Sequence, residues 1–156
     1  EQGDFLFQQV DGLNGFQVAD AAGRRTIATL EHATTPGWFL SPIRRLGWLD
    51  HEGLHRCHGL AVRPAAAEVW SICGSRVTIH SAREPGFSEL SSLVVADDAY
   101  WLSFTPDGRF AFLALADRDQ VAKVDARERR VVAYLPVGAR PKRNLVLRTD
   151  GAEARN

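Results

Sequence analysis

The chemistry-bearing residues of this chain crowd into one short stretch: His51, Glu52, His55, Cys57 and His58. Imidazole and thiolate are preferred donors for zinc and copper. His51 and His55 would share a face if residues 50–57 made a helical turn. His51, His55, Cys57 and His58 therefore form a candidate Zn or Cu site. Gly53 and the strand expected to follow argue against a helix there. The competing expectation is a plain loop whose histidines meet solvent. Elsewhere the chain lacks a P-loop, a dinucleotide glycine fingerprint, His-Glu-x-x-His and the Gly-x-Ser-x-Gly elbow.

A second constellation emerges from internal repetition. HGLAVRPAAAEVW, YWLSFTPDGRFAF and RNLVLRTDGAEA can be laid on one another, each an apolar run, a turn and a second strand-like run. Leu60, Leu102 and Leu145 then share a register, 42 and 43 residues apart (102−60 and 145−102). A period of about 40–45 residues marks four-stranded propeller blades. In such blades the first strand lines the central channel. The starts of successive inner strands should bring His58, Tyr100, Trp101, Arg143 and Asn144 towards one channel mouth. These five are the candidate ligand-binding residues. Aromatic walls, an arginine and imidazole suit a small anionic or polar organic ligand. Ordinary packing of Trp101 between blades, and pairing of Arg143 with a carboxylate, is the bland alternative.

The elements that must position these residues are strands. Pro106-Asp107-Gly108 between apolar runs is a strong hairpin signal. Recurring Gly, Pro and Asp leave no room for helices. The expected fold is all-β, with tandem four-stranded antiparallel blades. The chain divides into a partial blade (1–32), a long inserted loop (33–57), a blade (58–97), a second blade (98–140) and the start of another (141–156). A propeller needs roughly four to eight blades, so 156 residues are expected to be about three blades of a longer protein. Residues 33–57 exceed what joining two blades requires. Trp38, Phe39 and Trp48 give that loop apolar surface, and it is expected to fold over the channel mouth.

Single residues carry further expectations. Trp70, mid-strand in an apolar run, should be core. His32 and His80, near strand ends, should face solvent, and Arg129 should sit on a solvated hairpin tip. A two-residue turn after Pro64 makes paired positions sum to 131, placing Cys57 opposite Gly74 and Cys73 opposite His58. The two sulfurs would then point to opposite sides of the sheet, and free thiols are expected unless a bulge shifts the register.

Lys plus Arg and Asp plus Glu both number 19, for a formal net charge of zero. No basic patch recommends nucleic acid as a partner, and no apolar run reaches the length of a membrane span. YWLSFTPDGRFAFLALADRDQVAKVDARERRVVAYLPVG resembles the YVTN family β-propeller repeat, with its Pro-Asp-Gly turn, Val-x-x-Val-Asp strand and outer strand leading to Pro-x-Gly. Ser81 replaces the aspartate found at Asp20 and Asp125, and residues 31–57 have no counterpart in a plain repeat. The resemblance implies a seven-bladed, YncE-like propeller exported to the periplasm or cell surface. The expected function is non-catalytic binding of a small polar or anionic ligand, or of a protein partner, with no cofactor required. The rivals are a metal- or quinone-dependent propeller enzyme, a lactonase-like hydrolase, and a structural cell-surface repeat.

Overall fold

The computed structural model describes residues 4–32, 57–64, 66–83, 85–95 and 99–147. Eleven strands form three antiparallel sheets in chain order. The first sheet holds β1 (Phe5–Gln8), β2 (Gly15–Asp20) and β3 (Arg25–Glu31). The second holds β4 (Cys57–Arg63), β5 (Glu68–Cys73), β6 (Arg76–Ser81) and β7 (Glu89–Val94). The third holds β8 (Ala99–Phe104), β9 (Phe110–Leu115), β10 (Gln120–Asp125) and β11 (Arg130–Pro136). Each pairs only sequential neighbours, as hairpin-linked blades require. A single 3-10 turn, Ala116–Arg118, is the one helical element among the described residues. No described helix is long and apolar enough to cross a membrane.

Side-chain polarity explains which strands lie where. The middle strands β5, β6 and β9 are mostly buried and β10 about half so, and the sequences of β5 and β9 read Val-Trp-Ser-Ile and Phe-Ala-Phe-Leu rather than alternating strictly. The outer strands β3, β7 and β11 mix apolar and polar residues and stay largely exposed or half-buried. One core cluster joins the second and third sheets around Trp70, Ile72, Ile79, Leu102 and Leu113. A second joins the first and second sheets around Phe16, Val18, Val69 and Phe87. Three aromatic edges, Phe5 on Phe87, Phe7 on Phe87 and Phe7 on Phe16, seal that junction.

The hairpin turns obey the chemistry of their residues. Asp125 accepts hydrogen bonds from the backbone N–H of Arg127 and Glu128, and Asp20 accepts one from Gly23. Ser81, which stands where the other repeats have aspartate, accepts from the N–H of Arg83. Gly108 has φ +65°, and a Cβ there would lie 2.5 Å from the Pro64 carbonyl of the neighbouring sheet. Only glycine satisfies both the turn and that approach.

A network at this turn end ties the second sheet to the third. Arg63 donates to the carbonyls of Gly108 and Ala126 and pairs with Glu68 at 3.1 Å. Glu68 also accepts from Trp70 Nε1 at 3.1 Å and from Arg129 at 3.3 Å. Arg129 is thus ion-paired rather than a solvated tip residue. Its backbone takes the left-handed φ of +54° at the β10–β11 turn. Burial pushes the Glu68 carboxyl up, but the Trp70 hydrogen bond and the Arg63 and Arg129 contacts outweigh it and hold the carboxyl below its ordinary value.

Candidate functional site

The opposite end of the sheets, where β4 and β8 begin, gathers most of the chemistry. The pairing of β4 with β5 sums to 131 from Arg63–Glu68 back to Gly59–Ile72, as the turn length predicts. A bulge at His58 then shifts the register, so that Cys57 lies opposite Cys73. The two are joined in a disulfide. The expectation of free thiols is therefore corrected, and the physical reason is one extra residue at the strand's start rather than at its turn. The same bulge recurs in β8 at Tyr100, between the pairs Ala99–Leu115 and Trp101–Ala114.

These two bulged residues meet. The rings of His58 and Tyr100 stack with centroids 4.3 Å apart and 20° between planes. Lys142 Nζ sits over the Tyr100 ring, 5.1 Å from its centroid. One position further along, Arg143 lies over Trp101 at 4.9 Å. Close approach of the two inner strands is allowed by Gly59, where a Cβ would lie 3.2 Å from Trp101 Cα.

Residues 141–147 carry no strand ladder, yet they run beside β8 and β9. Ser103 donates to the Asn144 carbonyl at 2.8 Å, and Asn144 Nδ2 donates to the Phe112 carbonyl at 3.0 Å. Between this segment, β4 and β8 opens a cleft of about 620 Å³. Trp101, Arg143 and Asn144 line it with Leu60, Val62 and Phe104. Asn144 Oδ1 is buried without a hydrogen-bond partner among the described residues. Neither Lys142 nor Arg143 pairs with a carboxylate among the described residues.

The five sequence candidates thus fall into two groups. Trp101, Arg143 and Asn144 line the cleft, while His58 and Tyr100 form a stack outside its lining. Lys142, which caps that stack, escapes sequence reasoning because repeat alignment singles out the residue equivalent to His58 and not its neighbour. Of the four-residue metal candidate, His51 and His55 lie outside the described residues, as do Trp38, Phe39 and Trp48 of the long loop. Cys57 has no thiolate to offer that quartet while bridged, and His58 is engaged with Tyr100.

His32 and His80 are not solvent-facing but buried, 6% and 4% exposed. The end of β3 packs against β6, and Phe16 presses edge-on against both imidazoles. The two rings stack at 5.3 Å. His80 Nδ1 donates to the Phe87 carbonyl at 2.9 Å. His32 Nδ1 lies 3.3 Å from Cys73 Sγ. The Nε2 atoms of both histidines are buried without hydrogen-bond partners among the described residues.

Desolvation, then the nearby His80 and Arg76, lowers the His32 pKa from 6.5 to about 4. The unfolded chain takes up a proton near pH 6.5 that the folded protein refuses until about pH 4. Stability is therefore full above pH 6.5 and falls through that window by about 3 kcal/mol, since each tenfold difference in proton affinity is worth about 1.36 kcal/mol. Urea midpoints measured from pH 7.5 to 4 should show this fall in the oxidised protein, and His32→Phe should flatten it.

No family model matches the chain, and no curated protein matches it in sequence. Among solved structures, Kuenenia stuttgartiensis hydrazine synthase is similar over 55% of this chain and 24% of its own, at 22% identity and TM-score 0.51. Dihydro-heme d1 dehydrogenase NirN, in complex with DHE, is similar over 86% of this chain and 28% of its own, at 14% identity and TM-score 0.58. The chain thus spans about a quarter of the length of each. At these identities the likeness speaks to fold alone, and with the three sheets it makes this chain part of a β-propeller.

Proposed function

We propose that this chain belongs to an exported, YVTN/YncE-like propeller that binds a small anionic or polar organic molecule against its inner strands. The cleft between β4, β8 and residues 141–147 is the binding site in this reading. The observation that carries it is the Arg143 guanidinium, held over Trp101 beside a 620 Å³ cleft with no carboxylate partner among the described residues. A fixed guanidinium on an aromatic wall is suited to a planar carboxylate. Lys142, one residue away, adds a second positive charge on the same segment. Export is supported by the Cys57–Cys73 disulfide, a bond that persists in oxidising compartments.

The test is equilibrium binding of small mono- and dicarboxylates to the whole protein, followed by calorimetry on variants. Arg143→Ala should raise the Kd at least tenfold, a loss of about 1.4 kcal/mol. Arg129 is unsuitable as a control because it pairs with Glu68. The exposed Arg127 replaces it, and Arg127→Ala should leave binding unchanged. Equal losses in the two variants would refute a specific role for Arg143.

A second reading, a propeller enzyme, draws its support from the names of the two structural neighbours, a synthase and a dehydrogenase. A quinone or metal retained stoichiometrically by the full-length protein would favour it over simple binding.

A further inference from the structure

The cluster of His32, Cys57 and Cys73 stands apart from the cleft and shares only Cys57 with the metal candidate read from sequence. Three soft donor atoms converge there from three strand ends: the start of β4, the end of β5 and the residue after β3. Two Sγ atoms and one imidazole nitrogen all lie within 4.8 Å of one another. We propose that these residues form a redox-gated site for one thiophilic cation, Zn²⁺ or Cu⁺. Oxidised, the site is a disulfide; reduced, it is a two-thiolate, one-imidazole metal site.

The distances suit this. Bond lengths of about 2.3 Å to sulfur and 2.0–2.1 Å to nitrogen, at tetrahedral angles, place S and N about 3.6 Å apart and the two sulfurs about 3.8 Å apart. His32 Nδ1 is already 3.3 Å from Cys73 Sγ. Once the S–S bond is broken, side-chain rotation suffices to separate the sulfurs. The His32 backbone is held beforehand, its N–H donating to the Asn14 carbonyl at 2.8 Å and its carbonyl accepting from Asn14 Nδ2 at 2.9 Å, while Phe16 and His80 pack on the ring. Ser71 Oγ, 3.9 Å from Cys73 Sγ, is placed to donate to that sulfur as a thiolate. A disulfide sulfur is a weak partner for a buried imidazole nitrogen. A cation would use the Nδ1 lone pair directly. Three protein ligands satisfy trigonal Cu⁺, whereas Zn²⁺ would complete its tetrahedron with water.

The chemistry balances with a dithiol as reductant. Thiol–disulfide exchange breaks the Cys57–Cys73 bond, forms two thiols here, and oxidises the dithiol to its own disulfide. The cation then displaces both thiol protons to solvent. Bridge and metal compete for the same two sulfurs, so neither state tolerates the other.

The whole protein, reduced anaerobically with a phosphine, is titrated separately with Zn²⁺ and Cu⁺, desalted and assayed for metal. The reduced protein should retain one equivalent of the preferred cation, and the oxidised protein none. Bound cation should protect both cysteines from alkylation. X-ray absorption at the metal edge should find two sulfur ligands and an imidazole nitrogen. His32→Ala should weaken retention by about 100-fold or more, beyond the 10–100-fold typical of an outer-shell partner. The proposal fails if the reduced protein retains no stoichiometric metal, if it unfolds and stays unfolded with metal present, or if His32→Ala binds as tightly as wild type. Should that variant not fold, a wild-type metal shell without imidazole nitrogen overturns the proposal equally.

Discussion

Replacing Trp70 with alanine should destabilise the protein by about 4 kcal/mol, within the range for a fully buried aromatic cut back to a methyl group. Trp70 is completely buried in the core that joins the second and third sheets. Its ring meets Phe104 of β8 edge-on at 5.2 Å, so the cavity would open between two blades rather than within one. Trp70→Phe keeps an aromatic ring in the core but removes the Nε1–H bond to Glu68 and opens a smaller cavity, and should cost about 2 kcal/mol. Urea unfolding of the two variants distinguishes these effects. Equal losses would mean that the hydrogen bond, and not the packing, fixes the tryptophan.

Glu68→Ala should cost about 3 kcal/mol, in line with removing one partner of a largely buried ion pair. The Glu68 and Arg63 side chains are only 12% and 16% exposed. Glu68 is the common acceptor for Arg63, Arg129 and Trp70, and its loss takes one bond from each and leaves the buried Trp70 Nε1–H without its acceptor. Glu68→Gln retains an acceptor oxygen and should fall between wild type and alanine. Because Trp70 and Glu68 share a bond, their losses should not add. Trp70→Phe made in the Glu68→Ala background should cost about 1 kcal/mol less than in the wild type, the share of the lost bond. A double-mutant cycle showing full additivity would contradict the shared bond.

Much of this architecture is legible in the repeat. Gly74 separates β5 from β6, and β10 runs between Asp119 and the Asp125 turn, because turn chemistry is local. The Pro-Asp-Gly turn, the aspartates at 20 and 125 and the core position of Trp70 follow from the same local rules. What escapes is non-local. The bulges at His58 and Tyr100 each insert one residue that no composition signals, and they decide both the disulfide and the ring stack. His32 and His80 look like strand-end polar residues until β3 packs on β6 and Phe16 covers them. Arg143 is found through register. Lys142 is not, since register says which residues share a backbone role and not which neighbour reaches the same ring.

The outer strands share one more irregularity. Where the last strand of each sheet pairs with its neighbour, the ladder skips one residue: Ile27 in β3, Leu90 in β7 and Val132 in β11. Each of these strands is the outer edge of its sheet, with no strand partner on one side among the described residues. A straight, apolar edge of that kind would template a strand from another molecule. A bulge twists it out of line and interrupts the run of evenly spaced groups a newcomer would need. Crowded chains therefore meet an irregular rim wherever these edges are presented, and the device lies in backbone pairing alone, so that β3, β7 and β11 can share it without sharing a sequence.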